Sequence, residues 1–190
     1  MIAAARDLML ERGGEDFTLQ EVSRRGNVSI GSIYLRFEGK DDLVRAVIID
    51  ALEADARAEA EMFEHLRQSC ATLAEFVPRF VESYAEVLRD HAPLLRLAMK
   101  RAVDDPLVAG PGKARAIEAE RAGAEALLHH AGEFGGSDRE TRARSAYHVI
   151  FATLARQLSL GSHGDAALDQ GWEPLKRELA RMCLAYLRAD

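Results

Sequence analysis

Thr18, Ser29, Ser32, Tyr34, Arg36 and Lys40 fall within one short stretch, TLQEVSRRGNVSIGSIYLRFEGK, at positions 18–40. Their hydroxyls and cations are the groups that hydrogen-bond to phosphate oxygens and base edges. Ser29 and Ser32 can bond to either. Gly31 between them keeps the backbone slim enough to enter a groove, and Ile30 can touch a thymine methyl. Arg36 can reach a phosphate or a guanine, or serve the dipole of the helix end on which it sits. Thr18 can cap a helix and still offer its hydroxyl, with the helix N-terminus, to a phosphate. Tyr34 taken alone is a core residue or a phosphate ligand.

Two very short helices must hold these groups. Thr18 is an N-cap with Glu21 three residues on, the pattern of a capping box. Leu19 and Val22 give that helix one apolar face, and Gly26-Asn27 stops it by tolerating the left-handed conformation of a helix end. Ser29 caps a second helix whose Ile33 and Phe37 can face inward, leaving Ile30, Gly31, Ser32, Tyr34, Leu35 and Arg36 on or near the other face. Two helices around a tight turn, the second small and polar at its start, form the helix-turn-helix arrangement that enters a DNA major groove.

Residues 1–50 resemble the DNA-binding domain of the tetracycline-repressor (TetR) family of bacterial transcriptional regulators. Ala4, Ala5, Leu8, Met9 and Gly13 match that family's first helix, and Thr18 its threonine opening the second. Val28, Ser29, Gly31, Tyr34, Phe37, Lys40 and Leu43 match its recognition-helix signature. Three positions depart from the pattern. Gly26-Asn27 replaces alanine-glycine, Val22-Ser23 replaces isoleucine-alanine, and the chain starts inside the pattern without the basic residues that commonly precede it. The resemblance implies that Tyr34 and Lys40 hold the DNA backbone. It covers about a quarter of the chain by motif and the rest only by length and helical content.

Charge alone does not point to nucleic acid. The formal net charge is −6, and residues 1–50 carry 7 Lys/Arg against 9 Asp/Glu. Between Arg24 and Arg45, however, five basic residues (Arg24, Arg25, Arg36, Lys40, Arg45) face three acidic ones, a local patch that can bind phosphates with marked salt sensitivity. Cys70 and Cys183 lie far apart with no CxxC spacing, as expected of reduced thiols. No apolar run approaches the ~18–20 residues that span a bilayer, and no secretory signal core is present, so a cytoplasmic protein is expected. The histidines show no metal-ligand spacing beyond adjacent His129-His130, which diverge by about 100° on a helix. Enzyme motifs are absent, and neither cofactor, metal nor catalytic residue is expected.

The expected fold class is all-α: a three-helix head over residues 1–44, then a roughly six-helix domain over 45–190. Helices are expected near 1–12, 18–25, 29–35, 41–65, 72–90, from Pro93 to a stop before Asp104-Asp105-Pro106, 113–131, 138–160 and 172–188. Pro78 should kink or break the fifth, Pro93 should open the sixth, and Gly110-Pro111-Gly112 should be a loop. Gly161 to Asp165 should join the last two helices. Along the fourth, Glu53, Asp55, Glu59, Glu61 and Glu64 read as a solvated face.

The resemblance further implies a homodimer, an effector pocket in the body and a two-fold reading of DNA. Helices 138–160 and 172–188 offer Ile150, Leu154, Leu158, Trp172, Leu175, Leu179 and Met182 to a dimer seam, or to an ordinary core. Met62, Phe63, Phe80, Tyr84, Met99, Tyr147, His148 and Phe151 are candidate pocket residues, again with core as the plain alternative. A Met/aromatic set of this kind suits an apolar or aromatic effector. The expected function is a ligand-responsive repressor that binds a palindromic operator in double-stranded DNA as a homodimer, with no membrane partner. The alternative is a helical DNA-associated interaction module controlled by a protein partner.

Overall fold

The computed structural model describes residues 1–160 and 171–190. Among them are eight α-helices and no strand: α1 (Ile2–Arg12), α2 (Leu19–Arg25), α3 (Ile30–Tyr34), α4 (Lys40–Ser69), α5 (Leu73–Ala102), α6 (Pro106–Leu128), α7 (Arg139–Gln157) and α8 (Trp172–Arg188). A single 3-10 turn, Ala131–Glu133, follows α6. The expected joining segment from Gly161 to Asp165 lies outside the described residues.

The short helices of the head form where their caps are strongest. Thr18 accepts from the Glu21 backbone N–H while the Glu21 carboxylate accepts from the Thr18 N–H at 2.8 Å, completing the capping box. Ser29 Oγ accepts from the Ser32 N–H at 3.0 Å and opens α3. The turn between them corrects the sequence reading in one detail. Asn27 alone takes the positive φ, 47°, whereas Gly26 has ordinary right-handed geometry at φ −80°. Gly26 is small for another reason: a Cβ there would lie 3.0 Å from the Val22 carbonyl oxygen and 3.4 Å from Ala4 Cβ. Ser23, the polar intrusion in α2, donates to the Val28 carbonyl at 2.6 Å and so is satisfied across the same turn.

The expected break at Pro78, helix start at Pro93 and loop at Gly110-Pro111-Gly112 are overturned. Residues 73–102 form one helix through both Pro78 and Pro93, and Gly110-Pro111-Gly112 lies inside α6. Each proline leaves the carbonyl four residues back without its N–H partner. Those carbonyls belong to Ala74, Arg89 and Leu107, all exposed, as are the prolines themselves. Water can hydrate them there, and helices bend most easily on the solvent side. On the opposite side of α5, Phe76, Val77, Phe80, Val81, Tyr84, Ala85 and Leu88 are buried. At roughly 1.5–3 kcal/mol for each large apolar side chain, that burial outweighs the ~3 kcal/mol proline penalty.

The chain divides into two compact units: residues 1–54 with 93–112, and residues 55–92 with 113–190. Helices α4, α5 and α6 each contribute residues to both. In the first, Ala5, Met9, Val22, Ile33, Leu43, Val44, Val47 and Ile48 are wholly buried. In the second, α7 packs on α8, and Phe76, Phe80, Tyr84, Leu127, Ile150 and Leu154 form the core.

Candidate functional site

In the first unit, the cap of α3 orders its leading edge. The Ser29 and Ser32 hydroxyls share a hydrogen bond at 2.8 Å on the exposed side of the helix. A Cβ on Gly31 would meet only Ser29 Oγ, at 3.8 Å, so no intramolecular packing requires a glycine there. Ile33 is buried beneath this edge and Ile30 is half-buried. Tyr34 is 59% exposed and Leu35 87% exposed, so neither serves the core. Thr18 and Arg36 are also exposed. Lys40, the first residue of α4, is half-buried with Nζ 5.0 Å from the centroid of the Phe17 ring.

The basic patch is smaller than its sequence count. Arg25 pairs with Glu11 at 2.5 Å, and Arg45 pairs with Asp105 at 2.8 Å. Among the described residues, Arg24, Arg36 and Lys40 make no ion pair, which leaves three of the five cations free for phosphates.

A network invisible to motif reading also belongs to this unit. The Arg101 guanidinium donates to Glu15 at 2.8 Å, to Asp41 at 3.1 Å and to Asp105 at 2.9 Å. Asp105 also receives Arg45 and the Leu107 N–H, the latter as the cap of α6. Arg101 thereby fastens the loop after α1 and the start of α4 to the α5–α6 junction. The hydrogen bond from Arg45, helped by Arg101 and opposed by burial, holds the Asp105 carboxyl below the usual carboxylate range.

The second unit brings five of the expected pocket residues into one run of aromatic contacts. Phe63 lies 5.4 Å from Phe80, Phe80 5.5 Å from Tyr84, Tyr84 5.9 Å from Tyr147, and Tyr147 6.3 Å from Phe151. Met62 is buried, and His148 is exposed with Nε2 3.2 Å from Glu120. Met99 belongs to the first unit and is exposed. An open cleft of ≈ 560 Å³ has a mixed lining, apolar at Phe63, Phe76 and Leu128 and charged or polar at Arg67, Glu118, Arg121, Glu125 and His129. Of the seam residues, Ile150, Leu154 and Leu179 are buried within the chain, Leu158, Trp172 and Leu175 are half-buried, and Met182 is exposed. Val149 and Tyr186 add further exposed apolar surface on α7 and α8.

Asp55 and Glu59 overturn the reading of a solvated acidic face, since each is only 4% exposed. They continue the buried stripe Ile48, Leu52, Met62 and Leu66 at alternating three- and four-residue steps, and so lie on the inner side of α4. Arg115 Nη2 approaches Asp55 at 3.0 Å and Glu59 at 2.5 Å. Tyr84 hydrogen-bonds to Glu59 and shares a 2.8 Å bond with Tyr147. The set is under-satisfied: Asp55 Oδ1 and Arg115 Nε are buried without hydrogen-bond partners, and the Arg115 Nη2 contacts are close without being aligned hydrogen bonds.

Both cysteines are buried and free, and burial pushes the Cys183 thiol up to about 11. Among the described residues, no group of three or more His, Cys, Asp or Glu is placed to hold a metal ion. No described helix is long and apolar enough to cross a membrane.

A capped pair of short helices, with an exposed polar edge and free cations beside it, has the geometry of a helix-turn-helix. Residues 1–47 match the family of bacterial regulatory proteins, tetR family. No curated protein matches the chain. Solved structures share its fold. One described as a TetR-family transcriptional regulator, from Mesorhizobium loti, is 16% identical over 98% of this chain and 92% of its own, with a TM-score of 0.76. A transcriptional regulator from Cytophaga hutchinsonii is 17% identical over 99% and 96%, with a TM-score of 0.70. One from Rhodococcus is 18% identical over 98% and 92%, with a TM-score of 0.68.

Proposed function

We propose that this protein is a repressor that binds a palindromic operator as a homodimer and is released by a small apolar or aromatic effector. The head over residues 1–44 reads the DNA, and residues 45–190 bind the effector and dimerise. The observation that carries the reading is the edge of α3, with Ser29 and Gly31 exposed, Ile30 and Ser32 half-buried, and unpaired Arg36 and Lys40 nearby. Ser29, Ile30 and Ser32 read bases. Thr18, Tyr34 and Lys40 hold phosphates, and Arg36 serves either. The aromatic run supports an apolar or aromatic ligand, whose binding changes the separation of two recognition helices that must match DNA turns ~34–36 Å apart. The seam draws on α7 and α8, where Met182, Val149 and Tyr186 offer apolar surface.

Substitution separates the two kinds of contact. Tyr34→Phe and Lys40→Ala should weaken binding to every duplex alike, Lys40→Ala with a reduced salt dependence, whereas Ser29→Ala, Ile30→Ala and Ser32→Ala should change sequence preference. Equal losses on all sequences from both sets would contradict the assignment.

A further inference from the structure

The buried cluster of the second unit has an uneven charge count. Asp55 and Glu59 on α4 face one cation, Arg115 on α6, so the ionised set carries one negative charge in excess. The other groups facing it are hydroxyls: Tyr84 on α5, bonded to Glu59, and Tyr147 on α7, bonded to Tyr84. His91 on α5 adds a ring whose charge acts on Asp55. Burying an unbalanced charge is costly, and the group answers by taking up a proton. The hydrogen bonding agrees. Asp55 Oδ1 is a buried acceptor with no donor.

We propose that Asp55, Glu59 and Arg115, with Tyr84 and Tyr147, form a proton-binding site that holds one proton on its carboxylates. In the transfer, hydronium or buffer acid gives its proton to a Glu59 carboxylate oxygen, and the cluster passes from −1 to neutral. Burial, opposed by Arg115, pushes the Glu59 carboxyl up to about 7, and burial also raises Asp55. The sign of the linkage follows. A carboxyl that is harder to ionise when folded contributes its full stability below the unfolded value near 4.5, and that contribution is lost as pH rises towards about 7. A ligand that brought a positive charge into the cluster would release the proton. The site does not depend on whether the unit binds an effector, so its test is separate from that of the repressor reading.

The test is a carboxyl-carbon NMR titration of the full chain between about pH 4 and 9, with thermal unfolding followed over the same range. One glutamate signal with a midpoint near neutrality, missing in Glu59→Gln, is the expected result. The wild-type melting temperature should match that of Glu59→Gln at acid pH and fall below it as pH rises. A Glu59 midpoint below about 5, or parallel melting curves for the two proteins, would overturn the proposal. So would a neutral-range transition that survives in Glu59→Gln but disappears in His91→Gln, because the proton would then sit on the imidazole. If Glu59→Gln does not fold, the wild-type carboxyl titration alone decides.

Discussion

The two units each gather carboxylates around arginine, with opposite outcomes. In the first, Arg101 and Arg45 meet Glu15, Asp41 and Asp105 at a part-exposed junction, and the Asp105 carboxyl is held low. In the second, a single arginine meets two deeply buried carboxylates, both pushed up. The same residue types thus make a fastener in one place and a site short of charge in the other. What differs is the supply of donors: Asp105, itself buried, receives two guanidiniums and a backbone N–H, whereas Asp55 and Glu59 share one guanidinium. Where donors compensate for lost water, ionisation is favoured; where they fall short, it is resisted.

The largest test of that contrast is Arg115→Met. It strips two buried carboxylates of their cation and should cost about 3–5 kcal/mol in chemical denaturation at pH 8. Much of the loss should return at pH 5, where the carboxylates can protonate. A neutral substitution at pH 8 would break the comparison, since the cluster could not then depend on charge.

Arg101→Ala should come next, at about 1–3 kcal/mol, because one guanidinium serves three carboxylates at a junction only partly shielded from solvent. It should also weaken DNA binding by loosening the loop after α1 and the start of α4. Full stability combined with unchanged DNA binding would show that the network is decorative. Thr18→Ala should cost roughly 1 kcal/mol through the lost cap, read as a fall in melting temperature.

The smallest effect is the most diagnostic in sign. Asp105 has a lowered carboxyl, so its contribution is present above the unfolded value near 3.8 and disappears as pH falls through the lower folded one. The Glu59 contribution is present in acid and disappears as pH rises towards about 7. Hydrogen exchange resolved to each unit, corrected for intrinsic rates, should therefore show protection in the second unit declining from pH 5 to 8 while the first holds steady. Parallel behaviour would erase the contrast.

The same contrast explains what could be read in the sequence. Thr18, Glu21 and Ser29 act within three residues of themselves, so their caps were legible before any folding was considered. Asp55 and Glu59 were misread because charge ordinarily marks the solvent side, although their three- and four-residue steps from Leu52 and Met62 placed them on the buried stripe. Arg101 reaches Glu15 across 86 positions, and no local pattern encodes that pairing. The three prolines misled because a proline on the exposed side of a long helix costs less than the apolar face opposite it gains. Asn27, and not its glycine neighbour, takes the positive φ, while Gly26 packs closely against the Val22 carbonyl and Ala4.

All of this positions one exposed helix edge, and the central claim is that α3 reads DNA. Selection of bound sequences from a pool of random duplexes, at moderate salt and with the full chain, measures that directly. The account predicts enrichment of an inverted repeat whose half-site centres lie about one helical turn, or a multiple of it, apart, and loss of that enrichment when Ser29, Ile30 and Ser32 are replaced together. A bound pool no different from the input would contradict it.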